Sequence, residues 1–336
     1  MVGSSWNFGS ELAGGVHAAR SGVAPAVRGG SDAPSRLNSV LDDTLVDTGH
    51  EPVRRLAGVL LGTLIDERYL VRRRIGRGGS AEVYGVLDQD LGLERALKLL
   101  TPRVGRDTAE ARFHQEIRLC QALRHRNLVR VFDAGVWEGR LYYTMELLAG
   151  IDLREYLQLA PGRGIALRPA LEIAMGIADG LVAVHAEGIV HRDVKPANVQ
   201  LVPGPERVKL VDFGIAFAGH LALDLTEPDV VVGTPAYVSP ERITSSRPPT
   251  PQADLYSLGV ILYEMLAGHR PFEGPSVAGL FDRIVKEPAP PLRQWVPDLP
   301  WELEGLIEGL MAKRPCDRPT NAAYTLRRLQ ALVDEL

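Results

Sequence analysis

Hydrophobic and polar positions divide the 336-residue chain into three stretches. Residues 1–60 are rich in Gly, Ala, Ser and Pro and hold no sustained period. Such a segment cannot offset its ordering entropy by burial, so it reads as a disordered tail, with one short helix near 37–45. From Tyr69 the pattern alternates. "YLVRRRIGRGGSAEVYGVLD" reads as strand, Gly-rich turn and strand, and "RALKLL" as a short third strand. Residues 108–124 place Phe113, Ile117, Cys120 and Leu123 on one helical stripe. "LVRVFDAGVWEGRLYYTMELL" gives two more strands around a turn at Glu138 and Gly139. The sum is a five-stranded antiparallel sheet with one helix. After Gly150 the chain turns mainly helical. "PALEIAMGIADGLVAVHAEG" is a long apolar helix, and "VQLVPGPERVKLVDFG" a hairpin turning at 203–206. "ADLYSLGVILYEMLAG" is apolar almost all round, which predicts a buried central helix. Two lobes of different class imply a cleft between them, where ligands usually bind.

Composition narrows the class. Hydrophobic content of 45% supports a large core, and a formal net charge of −4 argues against a nucleic-acid or anionic-membrane binder. Cys120 and Cys316 stand far apart, each alone, and read as two thiols in a reducing compartment rather than a disulfide framework. The start of the chain lacks a basic region and an apolar region of the kind that targets secretion. The apolar run at 56–65, "LAGVLLGTLI", is about half of the ~20 residues a spanning helix needs and reads as a first strand or a packed connector. A cytoplasmic protein without membrane or nucleic-acid partners is expected.

Chemistry concentrates at a few places. "HRDVKPANV", from His191 to Val199, packs a histidine, an arginine, a carboxylate, a lysine and an amide close together, just after the apolar pair Ile189 and Val190. Burying unpaired charges is costly, so these groups need shared partners or a shared ligand. Gly76, Gly78 and Gly79 lie in a strand–turn–strand, where backbone N–H groups can approach a phosphate chain. Taken alone, such a Gly-rich hairpin is more often only a turn. Flanking strands argue against a dinucleotide fingerprint or a Walker A loop. Lys98 sits between apolar neighbours and either snorkels to solvent or meets Glu116, which falls on the inward stripe of its helix and needs a cation. Asp212, just before a glycine, and Asn198, five residues after Asp193, are hard oxygen donors that suit Mg²⁺ carried in with a nucleotide.

Taken in order, these stretches resemble eukaryotic-type protein kinases, and especially the serine/threonine kinases of bacteria, from about residue 63 to 335. "GRGGSAEV" is similar to the Gly-rich loop, "RALK" to the phosphate-anchor strand, "HRDVKPAN" to the catalytic loop, "DFG" to the metal-binding turn and "GTPAYVSPE" to the end of an activation segment. The resemblance implies an α+β, two-lobed protein-kinase-like fold, with an N-lobe at 63–147 and a C-lobe at 148–335. It implies a Mg²⁺-ATP-dependent enzyme, with Mn²⁺ as a substitute ion, that phosphorylates Ser/Thr hydroxyls of protein substrates. Asp193 would accept or orient the hydroxyl proton, and Lys195 would steady the γ-phosphoryl group. Asn198 and Asp212 would hold the metal, and Lys98, paired with Glu116, the α- and β-phosphates. Ile75, Gly76, Gly78, Gly79, Val83, Ala96 and Met145 would line the ATP site, with backbone groups of Glu146 and Leu148 at the adenine edge. His191 would pack beneath the loop. Glu241 would pair with Arg318, and Asp254 would open the central helix. Arg192 would receive a phosphate from Thr226, added in trans within a transient homodimer.

The chain departs from the pattern in places. Ala81 replaces the third glycine of the loop, with Gly79 compensating in part, and Ser239-Pro240-Glu241 stands for the usual Ala-Pro-Glu. A sensor domain and anchor are not visible. Two competing readings are a pseudokinase scaffold, which loss of Lys98, Asp193 or Asp212 would favour, and a small-molecule phosphotransferase, which suits the long 212–241 segment less well.

Overall fold

A computed structural model describes residues 60–79, 81–101, 106–159, 161–204, 207–212 and 235–336, without the side chains of 106–112. The N-lobe is built on strands β1 (Leu64–Ile65), β2 (Tyr69–Arg77), β3 (Ala81–Asp88), β4 (Leu93–Leu100), β5 (Val131–Trp137) and β6 (Arg140–Met145), with helix α1 (Arg106–Ala122) between β4 and β5. All pair antiparallel in the order β1-β2-β3-β4-β6-β5. Among the described residues the sheet therefore has six strands, one more than the five expected. The extra one, β1, is two residues long and so carries no readable alternation; it is the only part of the 56–65 run that forms a strand among the described residues. The tail and its helix near 37–45 lie outside the described residues.

Alternation along the strands sorts the lobe into two packed faces. Tyr84, Val86, Leu97, Leu99 and Tyr142 join Ile65, Tyr69 and Val71 in an outer cluster. Ala81, Ala96, Leu100, Tyr143 and Met145 face the other way, where Phe113, Ile117 and Cys120 of α1 meet them. The predicted stripe is thus the buried face of α1. Both cysteines are free, and burial pushes the Cys120 thiol up to about 12.

Strands β7 (Ile151–Asp152), β8 (Val199–Leu201) and β9 (Val208–Leu210) form a small antiparallel sheet in the C-lobe, which the hydrophobic pattern showed only in part. The helices are α2 (Leu153–Gln158), α3 (Leu167–Ala186), α4 (Pro240–Thr244), α5 (Pro251–Ala267), α6 (Val277–Lys286), α7 (Trp301–Leu310) and α8 (Ala322–Glu335). In α5, Leu255, Leu258, Val260, Ile261, Leu262 and Met265 are fully buried, each contributing about 1.5–3 kcal/mol of burial. This makes α5 the rigid post of the lobe. Among the described residues no helix is long and apolar enough to cross a membrane.

The stretch between α1 and β5 ties the lobes together. Leu210 N–H donates to Asn127 O at 2.8 Å, Val129 N–H to Leu210 O at 2.9 Å, and Asn127 Nδ2 to Val208 O at 2.8 Å. These bonds hold the end of β9, and so Asp212, under the N-lobe sheet.

Candidate active site

The loop between α3 and β8 carries the first group of polar side chains. Lys195 Nζ lies 2.7 and 3.0 Å from the two Asp193 carboxylate oxygens. Asn198 Nδ2 donates to Asp193 Oδ2 at 2.9 Å and to Asp193 O at 2.8 Å. Committing the amide nitrogen in this way turns the Asn198 oxygen to the other side. The loop is fastened from below by Asp254, in the first turn of α5 and only 1% exposed. Its carboxylate accepts from His191 N–H at 2.8 Å and Arg192 N–H at 2.9 Å, and meets His185 Nε2 at 2.8 Å. Arg242 of α4 donates to Arg192 O. These bonds hold Arg192 at φ +70°, a left-handed conformation that costs a non-glycine residue about 1–3 kcal/mol.

His191 is fully buried, and burial pushes its imidazole below the ordinary value. Its Nε2 lies 3.1 Å from Val211 O, and Asp193 N–H donates to Nδ1 at 3.4 Å. A neutral ring with its proton on Nε2 satisfies both contacts. It packs beneath the loop, as the kinase resemblance implies.

Asp212 follows β9 and is also left-handed, with φ +59°. Lys98 Nζ approaches its Oδ1 at 2.6 Å, and the Tyr143 hydroxyl donates to the same oxygen at 2.9 Å. Burial pushes this carboxyl up, but Lys98 and Tyr143 outweigh it and hold it below the usual range. Burial and the Asp212 charge push the Tyr143 phenol well above its ordinary value, so it remains a donor.

This pairing corrects one expectation. Lys98 was expected to pair with Glu116. Instead Lys98 meets Asp212, and Glu116 Oε1 accepts from Arg192 Nη1 at 3.2 Å. The inward stripe does bring Glu116 to the cleft, but its cation comes from the catalytic loop. Arg192 thus already has an anionic neighbour. Thr226 lies outside the described residues, as do Phe213 and Gly214.

Around this cluster the Gly-rich turn joins β2 to β3, closed by Gly78 N–H donating to Ala81 O at 2.8 Å. Among the described residues no atom lies within 4 Å of where a Cβ on Gly76 would sit, and the same point on Gly78 meets only Ala81 O at 3.8 Å. The backbone here is open to a ligand. Neither glycine has a positive φ; what they supply is space. Ile75 is exposed, Gly79 lies at the exposed turn, and Val83 is half-buried on β3. Ala96 and Met145 are buried on β4 and β6. Glu146 N–H donates to Arg130 O at 2.9 Å and its carboxylate meets Lys209 at 3.3 Å. Among the described residues no backbone bond engages the Glu146 carbonyl or either backbone group of Leu148.

Away from the cleft, Arg318 donates to both oxygens of Glu241, at 2.8 and 2.6 Å, and to the carbonyls of Ala312 and Gln252 at 2.8 and 2.7 Å. Its side chain is wholly buried. Burial pushes the Glu241 carboxyl up, but Arg318 outweighs it and holds it below the ordinary value. Glu241→Gln should cost about 3–5 kcal/mol in urea unfolding at neutral pH. A depressed carboxylate stabilises fully above its unfolded pKa and loses this as pH falls through the folded one. The gap between wild type and variant should therefore shrink in acid. A gap that stays constant would remove the ion pair as its cause.

Sequence reasoning did not find Tyr143, His185 or Arg242. Each acts on a partner 50 or more residues away, and no local pattern marks it.

This cleft, between an antiparallel sheet lobe and a helical lobe, brings a carboxylate–lysine–amide cluster opposite a lysine–aspartate pair. The model of the protein kinase domain matches residues 69–329. Serine/threonine-protein kinase PknL of Mycobacterium tuberculosis is 36% identical over 283 residues, covering 82% of this chain and 68% of PknL. PknA of the same organism is 38% identical over 264 residues, covering 77% of this chain and 59% of PknA. The crystal structure of the M. tuberculosis PknI kinase domain superposes with a TM-score of 0.65 at 26% identity, covering 81% of this chain and 98% of that one. The chain belongs to the protein kinase family, as a serine/threonine protein kinase of the eukaryotic-like type found in bacteria.

Proposed function

We propose that this chain is a cytoplasmic enzyme that transfers the γ-phosphate of Mg²⁺-ATP, or of Mn²⁺-ATP, to serine or threonine hydroxyls of protein substrates. Use of ATP and a divalent metal is general to the family. The observation that carries the reading is the convergence of Asp193, Lys195 and Asn198 with the Lys98–Asp212 pair beneath an open Gly-rich turn. Asp193 orients the acceptor hydroxyl and takes its proton. Lys195 and Lys98 meet the phosphates as cations. The Asn198 amide oxygen and the Asp212 carboxylate are hard donors that fit Mg²⁺. Among the described residues no cluster of three His, Cys, Asp or Glu side chains forms a cage, which suits an ion bound chiefly through the nucleotide. An ion held there would supply neutralising charge to the transferring group. Loss of Lys98, Asp193 or Asp212 would favour the scaffold reading, and all three are present. Incubation of the purified chain with Mg²⁺-ATP, followed by mass-spectrometric mapping, should find phosphoserine or phosphothreonine. Phosphate appearing only on a small metabolite would overturn the reading.

Regulation is part of the same proposal. Phosphate added to Thr226 in trans, within a transient homodimer, would supply about −1.5 to −2 charge and three acceptor oxygens to the Arg192 guanidinium. Arg192 would then leave Glu116 for the phosphate. Thr226→Ala and Arg192→Ala should depress turnover similarly, with the double variant little worse than either. Strictly additive losses would separate the two residues.

A further inference from the structure

The cleft face of the N-lobe sheet is organised in cross-strand rows. Antiparallel partners share a face, so Gly76, Val83, Lys98 and Tyr143 form one row. Lys98 and Tyr143 reach Asp212 from it, which makes it the phosphate end. The next row on this face, toward the connection between the lobes, is Arg73, Gly85, Ala96 and Met145. Ala96 and Met145 are nucleotide-site candidates on sequence grounds. Arg73 and Gly85 are not.

Gly85 explains where Arg73 lies. A Cβ on Gly85 would sit 3.0 Å from Arg73 Cγ, 3.2 Å from Nε and 3.6 Å from Cζ. The arginine therefore occupies the space a side chain at 85 would fill. A glycine inside a strand weakens it unless another group needs the close approach, and here that group is the guanidinium. Arg73 is exposed on its other side, and among the described residues no carboxylate pairs with it. An arginine that only guards the open edge of β2 could point anywhere and would not need a glycine opposite. Its neighbour Arg74 pairs with Tyr84, a member of the outer cluster, and so lies on the other face.

We infer that Arg73 is a nucleoside-contacting residue. Its planar guanidinium closes the solvent side of the slot against the purine and ribose of ATP and takes no part at the phosphates. A guanidinium suits this place because it is weakly hydrated and packs against aromatic faces. The inference rests on the kinase reading of the cleft and adds a selectivity element to it.

The test uses the full chain and two probes, adenosine and Mg²⁺-ATP, in titration calorimetry and steady-state kinetics. Arg73→Ala should raise the adenosine Kd and the ATP KM by the same factor, about three- to tenfold, with kcat unchanged. Arg73→Lys should recover part of the loss, and Arg74→Ala should match wild type. Unchanged adenosine affinity in Arg73→Ala overturns the inference, as does a loss confined to ATP or an equal loss in Arg74→Ala. If adenosine fails to compete with ATP in the wild-type chain, the nucleotide reading of the cleft falls first and this inference with it.

Discussion

Asp193→Asn should bind ATP with near wild-type affinity and transfer phosphate about 10²–10⁴ times more slowly. The carboxylate lies in the catalytic loop, held by Lys195 at 2.7 Å and Asn198 at 2.9 Å, and away from the Gly-rich turn. An amide keeps the shape and can still meet Asn198, but it accepts no proton and presents no charge to Lys195. The backbone of the loop hangs on Asp254 through the N–H groups of His191 and Arg192, so the fold should not depend on the Asp193 side chain. A binding titration beside single-turnover kinetics separates the two effects. Near wild-type turnover would remove Asp193 from the chemistry.

Lys98→Met should lower kcat about 10²–10³-fold, the loss expected when one preorganised charge at a reacting group is removed. Its structural consequence differs from that of a Lys98–Glu116 pair. Asp212 loses its cation and keeps the Tyr143 hydroxyl, while Glu116 keeps Arg192. The Asp212 carboxyl should rise toward its ordinary range or above. Both members of the lost pair retain some solvent contact, so the melting temperature should move by only a few degrees, at about 2–4 °C per kcal/mol for a domain of this size. A fall of tens of degrees would make Lys98 a structural residue. Glu116→Gln should leave the Lys98–Asp212 pair in place and so cost less than Lys98→Met.

Long periodic segments were legible. The stripe of Phe113, Ile117 and Cys120 is the buried face of α1, and the all-round apolar pattern at 253–268 is α5. Elements of two residues, β1 and β7, carry too few positions for a period to show. Motif order along the chain brings out Asp193, Lys195, Asn198, Lys98 and Asp212, because each sits in a local pattern. Partners are another matter. Whether Glu116 meets Lys98 or Arg192 depends on where α1 packs against the catalytic loop, and two cations compete for one carboxylate there. The stripe fixes the direction of Glu116 but not its partner. Tyr143 reads as a sheet aromatic until its row is known, and His185 as a helix-end residue until Asp254 is seen beside it. The role of Arg73 depends on a glycine in the neighbouring strand, and only the register joins the two.

Transfer of the ATP γ-phosphate to a protein hydroxyl should depend on the Asp193 cluster. Incorporation of γ-labelled phosphate from Mg²⁺-ATP into this chain and an added protein substrate, with phosphoamino-acid analysis, for wild type and Asp193→Asn side by side at saturating ATP, tests this dependence. Wild type should yield phosphoserine or phosphothreonine and Asp193→Asn almost none, at equal ATP occupancy. Equal incorporation by both proteins, or ATP binding by wild type with no phosphate on any protein hydroxyl, would contradict it.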